Sequence, residues 1–361
     1  MKVASEMLID EVLARPPVRH ACVFGGDAAL PVALAGERHI EKLTWLPTDC
    51  REIAIIEQHE HDNIVVDDNV FEPDLEPASV DLAILPAPPN RDFNQRWLAL
   101  ADRLLGPGGH LIVAGPNREG IRSVIADAAA LLWPLTEDFR RKHRIGVLQR
   151  RDPPVTSGAP DWLTVPGIAP ATWREFMVTL NQNDLHLVTL PGVFAGDTLD
   201  AGTALLLEHL DVRPGASVLD VGCGAGMIGI AAARDASRAA ASRVDLVDAN
   251  LLAVAAAREN LRRLAIPHAR ALASDVYEAV RDARYDLIVS NPPFHRGKEI
   301  DVSVADRIIR EAPRHLAPGG GVRIVANAFL DYGRRMSEVF RHVETVAATR
   351  QYHVIAARDP R

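Results

Sequence analysis

Cysteine is scarce and unpatterned in this chain. Cys22, Cys50 and Cys223 are the whole complement, an odd number with no Cys-x-x-Cys spacing. That excludes a disulfide framework and a thiolate zinc site, leaves no metal to be expected, and points to a reducing, cytoplasmic setting. Long apolar runs are missing as well, none approaching the roughly 18 residues of a membrane-spanning helix. Nor is positive charge in excess: 40 basic against 48 acidic side chains give a net charge of -8, which excludes a broadly basic, histone-like binder of nucleic acid. The opening residues MKVASEMLIDEVLA carry Glu6, Asp10 and Glu11 within their apolar periodicity. A secretory leader keeps its core uncharged, so this segment is expected to be an amphipathic helix. What remains is ordinary globular composition, 48% apolar and 24% charged over 361 residues, enough for two domains at roughly 100–200 residues each.

The acidic balance belongs to the first half. Residues 1–190 hold 18 basic and 27 acidic side chains, and 191–361 hold 22 and 21. One segment of the first half runs the other way: Arg140, Arg141, Lys142, Arg144, Arg150 and Arg151 occur before any acid intervenes. Such a cluster either attracts an RNA phosphate backbone or decorates a solvated strand pair.

The chain repeats itself. RYDLIVSNPPFHRG and HLAPGGGVRIVAN, within 284–327, find loose counterparts in VDLAILPAPPNRD and LLGPGGHLIVAGPN, within 80–117. Upstream, HACVFGGDAAL stands where SVLDVGCGAGM stands in the second half. Apolar runs such as Ser217–Val221, Arg243–Val247, Tyr285–Ser290 and Gly321–Ala326 alternate with helical stretches, the pattern of a parallel sheet wrapped in helices. The expected architecture is α/β, two tandem Rossmann-like doubly wound domains. The expected division is 1–151, a proline- and glycine-rich linker over 152–175, and 176–361, with a β-hairpin around Asn181–Asp184 opening the second domain.

VLDVGCGAGMIG, Val218–Gly229, is the most informative segment. A strand delivers Asp220, and Gly222, Cys223, Gly224 and Gly226 turn the backbone toward a ligand before a helix begins. A glycine-rich loop alone would also suit a dinucleotide. Three acids favour something else. Asp220 precedes the glycines, where a ligand amine can be met. Asp248 ends the next strand, 22 residues after Gly226, and can take two ribose hydroxyls. Asp275, with Val276 beside it, can accept from an adenine amine. The implied ligand has an amino acid at one end, a ribose in the middle and adenine at the other. This segment resembles the S-adenosylmethionine site of class I methyltransferases, and the resemblance implies those roles for the glycine loop, Asp248 and Asp275.

DLIVSNPPFH, Asp286–His295, supplies the second signal. A strand ends in Asn291, a candidate both for catalysis and for cofactor binding, and Pro292 and Pro293 stiffen the turn that follows. Such a corner suits methylation of a conjugated amine, a poor nucleophile because its lone pair is shared with a π-system. The Asn291 side-chain oxygen and the Pro292 carbonyl can accept its two N–H groups, drawing the lone pair toward the methyl donor and stabilising the charge that develops on nitrogen. Phe294 can stack on the substrate's face. Several amino-methylating groups share this turn, among them adenine-N6, guanine-N2 and protein glutamine-N5 methyltransferases.

LPGVFAGDTLDAGTALLLEHL (190–210), the cofactor loop, SNPPFHRG (290–297) and HLAPGGGVRIVANAFLDY (315–332) together resemble the bacterial ribosomal RNA guanine-N2 methyltransferases, most closely the 16S type. The resemblance covers about 190–361. It implies S-adenosylmethionine as cofactor, ribosomal RNA or the small subunit as partner, and an inactive first copy that binds no cofactor. Pro86 stands where that copy lacks Asn291, and Gly25–Gly26 is what is left of its loop. The resemblance also implies that Phe194–Thr203 closes over the cofactor. Read from its own residues, that stretch is the start of a helix capped by Asp197 or Thr198, with Leu199, Leu205 and Leu206 packing inward. Arg296, with His295, borders the catalytic turn, where it meets RNA phosphate or solvent. The alternatives are a 23S guanine-N2 enzyme, a glutamine-N5 protein methyltransferase and a non-catalytic RNA-binding protein.

Overall fold

The computed structural model describes residues 2–37, 39–59, 61–153, 155, 158–180, 183–236, 243–293, 295–296, 299–300 and 302–361, the side chains of 180, 183, 235, 236, 295, 296, 299 and 300 excepted. The chain forms two compact units, 1–174 with 190–192, and 175–189 with 193–361. In the first, β1 (Val18–Phe24), β2 (Ile40–Leu46), β3 (Ile64–Val66), β4 (Val80–Pro86), β5 (Leu105–Pro116), β6 (Trp133–Arg140) and β7 (His143–Gln149) make one sheet. Its order is β3-β2-β1-β4-β5-β7-β6. The second unit begins with a hairpin of β8 (Arg174–Leu180) and β9 (Asn183–Thr189). Its main sheet comprises β10 (Val218–Val221), β11 (Val244–Asp248), β12 (Ala269–Ala273), β13 (Tyr285–Ser290), β16 (Leu316–Asn327), β17 (Phe340–Ala348) and β18 (Tyr352–Pro360), and β14 (His295–Arg296) and β15 (Glu299–Ile300) form a separate two-stranded sheet. The order β12-β11-β10-β13-β16-β18-β17 repeats that of the first unit.

The sheets are mixed. In the second unit β12, β11, β10, β13 and β16 run parallel, whereas β18 is antiparallel to both β16 and β17. The connection from β17 to β18 is too short for a crossover, so it can only be a hairpin. In the first unit β6 and β7 are joined in the same way, through Arg141 and Lys142 at φ 48° and 64°. Two successive residues at positive φ match the right-handed twist of the flanking strands.

Burial follows from the parallel arrangement, because helices cover both faces of the central strands. All four residues of β10 are buried. Side chains alternate between faces: Val218 packs with Leu246, Val254 and Leu206, whereas Leu219 and Val221 pack with Ile288, Ile308 and Ile324. Asp220 shares the Val218 face and is carried into the layer of the helix Met227–Ala236. Asp245, on β11, is fully buried and accepts from the Tyr285 hydroxyl at 2.6 Å and from Arg270 Nε at 2.7 Å, pinning β11 to β13 and β12.

The stretch expected as a linker does not hang free. Its described part packs on the first unit, where buried Arg96 donates to the Gly167 carbonyl at 3.0 Å and Trp173 stacks on Phe71 with ring centroids 4.0 Å apart. Arg174 pairs with Asp92 at 2.8 Å. Proline and glycine density signals turns, and turns can be as well anchored as helices.

One buried side chain ties the second unit's hairpin to the loop after β10. Asn260 lies on the helix Leu251–Arg263, which starts at the Asn250 cap. It accepts from Val188 N at 2.7 Å and donates to the carbonyls of Val188 and Ala225, both at 2.9 Å. Asn260→Ala is expected to destabilise the second unit by about 3–5 kcal/mol, since it strands a buried backbone N–H and two carbonyls. Urea unfolding checks this; a loss under about 1 kcal/mol would show the three bonds to be replaceable by water.

Candidate functional site

Three neighbouring strands of the second unit end at one level. Val221 pairs with Val247 of β11 and with Ser290 of β13. The next residues are therefore Gly222, Asp248 and Asn291, in a row across the C-terminal edge at about 4.8 Å per strand. The β10/β13 boundary is also where the chain switches direction across the sheet, the position at which open α/β sheets hold ligands. Beyond Asp248 the next strand pairs Ala273 with it, and Asp275 comes two residues on. Asp275, Asp248, the glycine loop and Asn291 thus stand along the edge in the order expected for adenine, ribose, amino acid and methyl acceptor.

The loop is held by its own backbone. Gly222 N and Cys223 N both donate to Val247 O, at 2.8 and 3.1 Å. Gly222 and Gly224 have φ of +74° and +54°, and a Cβ built on either would meet nothing within 4 Å. The strain of a side chain, rather than crowding, excludes other residues there, and the space above them is open. Gly226 combines both constraints, with φ +92° and a Cβ that would lie 3.1 Å from Leu246 Cδ2, and Gly229 serves packing, since a Cβ there would fall 2.4 Å from Leu246 Cγ. The loop thus sits tight against the sheet beneath, with open space beside Gly222 and Gly224. Cys223 is buried, its Sγ 3.5 Å from Gly224 O, and burial raises its thiol pKa far above the ordinary value. A thiol so held is no nucleophile.

The acids differ in their engagement. Asp220 is completely buried. Its Oδ2 accepts from Gly229 N at 2.8 Å, and its Oδ1 has no hydrogen-bond partner among the described residues. Desolvation pushes its pKa up to about 7, against the pull of the Gly229 N–H and with a further push from Asp248. Asp248 accepts from Gly224 N at 2.9 Å through Oδ2 and from Asn250 N at 2.8 Å through Oδ1, so the acid at the end of β11 is part of the loop's support. Asp275 Oδ2 accepts from Arg307 Nη1 at 2.5 Å, and Arg307 Nη2 reaches the Asp275 carbonyl at 3.3 Å. Val276 beside it is buried, with φ +55°. Sequence reasoning missed Arg307, which nothing in the local pattern distinguishes from other helix arginines.

At the end of β13, Asn291 Nδ2 donates to Asp200 Oδ2 at 2.9 Å and to Thr203 Oγ1 at 2.8 Å. Pro292 is buried and Pro293 exposed. Phe294 lies outside the described residues, as do the side chains of His295 and Arg296. Asp200 is also the cap of the helix Ala201–Glu208, accepting from Thr203 N at 3.0 Å. The expected caps, Asp197 and Thr198, fall outside that helix. The three-residue spacing from Asp200 to Thr203, directly before the apolar run ALLLEHL, is the signal that would have identified it. Phe194 is 64% exposed.

The first unit has the same edge without its acids. Gly25 N donates to Leu46 O at 2.9 Å, as Gly222 N does to Val247 O, which sets Val23 at the position of Asp220 and Pro47 at that of Asp248. The pairing of Val23 with Ile84 then sets Pro86 at the position of Asn291. A Cβ on Gly26 would lie 2.8 Å from Pro86 Cγ, and Trp45 Nε1 donates to Gly25 O at 2.8 Å. Side chains crowd the loop here where the second unit leaves it open. The basic cluster is less basic than the sequence suggests. Arg140 pairs with Asp10 at 2.6 Å, Arg141 with Glu6 at 3.7 Å and Arg144 with Glu137, while Arg151 lies over the Trp133 ring at 4.2 Å and donates to Ala129 O. Arg150 is half-buried and Lys142 exposed. The acids come from the N-terminal helix and the partner strand, out of sight of a linear reading. Among the described residues no group of His, Cys, Asp or Glu is placed to hold a metal ion, and no helix is long and apolar enough to cross a membrane.

Fold and edge together define a class I S-adenosylmethionine-dependent methyltransferase. The family model described as methyltransferase small domain matches residues 184–356. Ribosomal RNA small subunit methyltransferase C of Pseudomonas paraeruginosa is 36% identical over 279 residues, 77% of this chain and 79% of the relative. The Escherichia coli protein of that name is 37% identical over 284 residues, 78% of this chain and 76% of the relative. Among solved structures, the T. thermophilus 16S rRNA N2 G1207 methyltransferase in complex with AdoMet and guanosine matches with a TM-score of 0.83 and 27% identity, covering 99% of this chain and 92% of that one. The chain belongs to the ribosomal RNA small subunit methyltransferase C family.

The raised pKa of Asp220 has a measurable consequence. A carboxyl whose folded value lies above its ordinary 3.8 stabilises the fold in its protonated form. That contribution is complete below about pH 4 and is lost as pH rises through about 7. Asp220→Asn mimics the protonated group, so its stability relative to the parent should rise on the order of 2 kcal/mol from about pH 5 to about pH 8. Thermal and urea unfolding across that range check it; a pH-independent difference would mean that the carboxyl is ionised throughout.

Proposed function

We propose that this protein transfers a methyl group from S-adenosylmethionine to the exocyclic N2 amine of a guanine in 16S ribosomal RNA. The observation that carries the reading is the Asn291 amide, whose Nδ2 is engaged twice while its Oδ1 has no hydrogen bond among the described residues, one strand away from the glycine loop. The names of the relatives, and the guanosine in the solved relative, support guanine and the small subunit over the other acceptors of this turn.

The residues present fit the cofactor. The open space above Gly222 and Gly224 admits a ligand against the backbone, and the orphaned, buried Asp220 Oδ1 is an acceptor waiting for a cationic donor. Asp248 is proposed to take the ribose hydroxyls. Asp275, with Arg307 holding its Oδ2, is proposed to offer Oδ1 to the adenine amine beside Val276. Gly222, Cys223, Gly224 and Gly226 would line the amino-acid end. When bound, S-adenosylmethionine supplies an electrophilic methyl on a positively charged sulfur.

The chain's own part is to make an aromatic amine nucleophilic. Asn291 Oδ1 and the Pro292 carbonyl are proposed to accept the two N2–H groups of guanine. Each bond pulls electron density onto nitrogen and opposes delocalisation into the ring, and both strengthen as nitrogen becomes positive. Two consecutive prolines keep the carbonyl from drifting, which preserves an approach of about 3–3.5 Å between nitrogen and carbon. Phe294 is proposed to stack on the extruded base. The 140–151 hairpin and Arg296 are proposed as RNA contacts, the hairpin at reduced strength because most of its arginines already have acidic or aromatic partners.

Asn291→Ala should lower kcat by about 100-fold or more and leave the S-adenosylmethionine Kd within about threefold. Asp248→Ala should raise that Kd by at least about tenfold. Calorimetry and labelled-methyl transfer to small ribosomal subunits measure both. Mass mapping of modified guanosines in 16S and 23S RNA from cells with and without the gene tests the substrate. An unchanged 16S map, or a lost mark in 23S, overturns the assignment.

A further inference from the structure

The catalytic amide has a polarity problem. Asn291 is of use to an amine donor only with its oxygen forward, and a half-turn about χ2 would present Nδ2 instead, at almost no steric cost. Nothing in the Ser-Asn-Pro-Pro turn decides between the two.

The decision comes from another element. Asp200 Oδ2 receives Asn291 Nδ2 at 2.9 Å, and Thr203 Oγ1 receives it at 2.8 Å. An ionised carboxylate is an acceptor only. With the amide reversed, Asn291 Oδ1 would face that carboxylate, two lone-pair-bearing groups in contact, and the bond to Asp200 would be lost; the Thr203 hydroxyl, donor as well as acceptor, holds the amide in place while the carboxylate sets its polarity. The carboxylate is itself fixed. It caps the helix Ala201–Glu208 by accepting Thr203 N at 3.0 Å, and a Cβ on Gly202 would meet the Tyr352 ring at 3.1 Å, so the start of the helix is wedged against β18. Leu206, one turn on, is wholly buried. The clamp is thus anchored in the core and not on a floating loop.

We infer that Asp200 and Thr203 are positioning residues that hold the Asn291 amide oxygen-forward toward the acceptor amine. This rests on the proposed guanine-N2 methyl transfer and adds to it the source of the amide's polarity. The role assigned to both is exerted through the bonds they accept from Asn291 Nδ2. The helix cap and the catalytic corner therefore share one carboxylate, and the segment before that helix is coupled to the chemistry.

Asp200→Asn separates the two duties. Asparagine caps a helix as well as aspartate does, but it is both donor and acceptor and no longer penalises the reversed amide. With small ribosomal subunits from cells lacking the gene and labelled S-adenosylmethionine, Asp200→Asn is expected to lower kcat about tenfold. The S-adenosylmethionine Kd by calorimetry, the KM for subunits and the melting temperature should stay close to the parent's. Thr203→Val, which keeps the capped backbone N–H and removes the hydroxyl, should lower kcat about five- to tenfold, and Thr203→Ser should restore it. Parental kcat in both Asp200→Asn and Thr203→Val overturns the proposal. So does a fall explained by a weakened cofactor Kd or a lowered melting temperature, which would make Asp200 a cap and no more. If the unsubstituted protein transfers no methyl to guanine, the underlying reading falls and this inference with it; transfer by the parent with indifferent variants sinks the inference alone.

Discussion

Register between three parallel strands is the constraint on which the site depends. Because β10 pairs with β11 and β13 at the same level, Gly222, Asp248 and Asn291 emerge together although they are far apart in sequence. A slip of one residue in any of the three would reverse which face its side chains occupy, sending Asp220 or Asp248 to the wrong layer. The strands are buried on both faces, so the hydrophobic core enforces the register that the chemistry needs. The first unit keeps the same register with Val23, Pro47 and Pro86 in the corresponding places. Its apolar strands maintain the fold whether or not the edge carries acids.

Around this row the second unit concentrates buried polar groups, each with a mechanical role. Asn260 joins the hairpin to the glycine loop, Asp245 joins three strands, and Asp220 caps the first turn of the helix after the loop. Buried polar atoms are costly unless paired, and Asp245 and Asn260 are fully engaged. Asp220 differs from these two, with one oxygen unpaired among the described residues. Its unpaired oxygen lies at the root of the glycine loop, where burial without a partner raises the carboxyl pKa to about 7.

The strand ends are readable in the sequence because their residues are chemically loud. Glycines clustered after Asp220, an acid closing VDLVD and a double proline after Asn291 each carry local information, and their spacing encodes the sheet. The partners of those residues are not readable in the same way. Asp200 reaches Asn291 across 91 positions, and Asp197 competes with it for the cap because both precede the same apolar run. Arg307 is one of several arginines on an amphipathic helix. The basic cluster looks unpaired in the sequence because Glu6 and Asp10 are more than a hundred residues away along the chain. The linker looks loose there because turn residues report backbone shape and not contacts such as that of Trp173 with Phe71.

The central claim is geometric: an asparagine oxygen held at the end of β13 meets the guanine amine beside the cofactor loop. A crystal structure of the protein with S-adenosylhomocysteine and guanosine addresses it most directly. The account predicts guanine N2 within about 3.2 Å of Asn291 Oδ1, the ribose of S-adenosylhomocysteine on Asp248, and Asn291 Nδ2 still on Asp200. A guanine bound with N2 turned away from Asn291, or an Asn291 amide reversed toward Asp200, would contradict it.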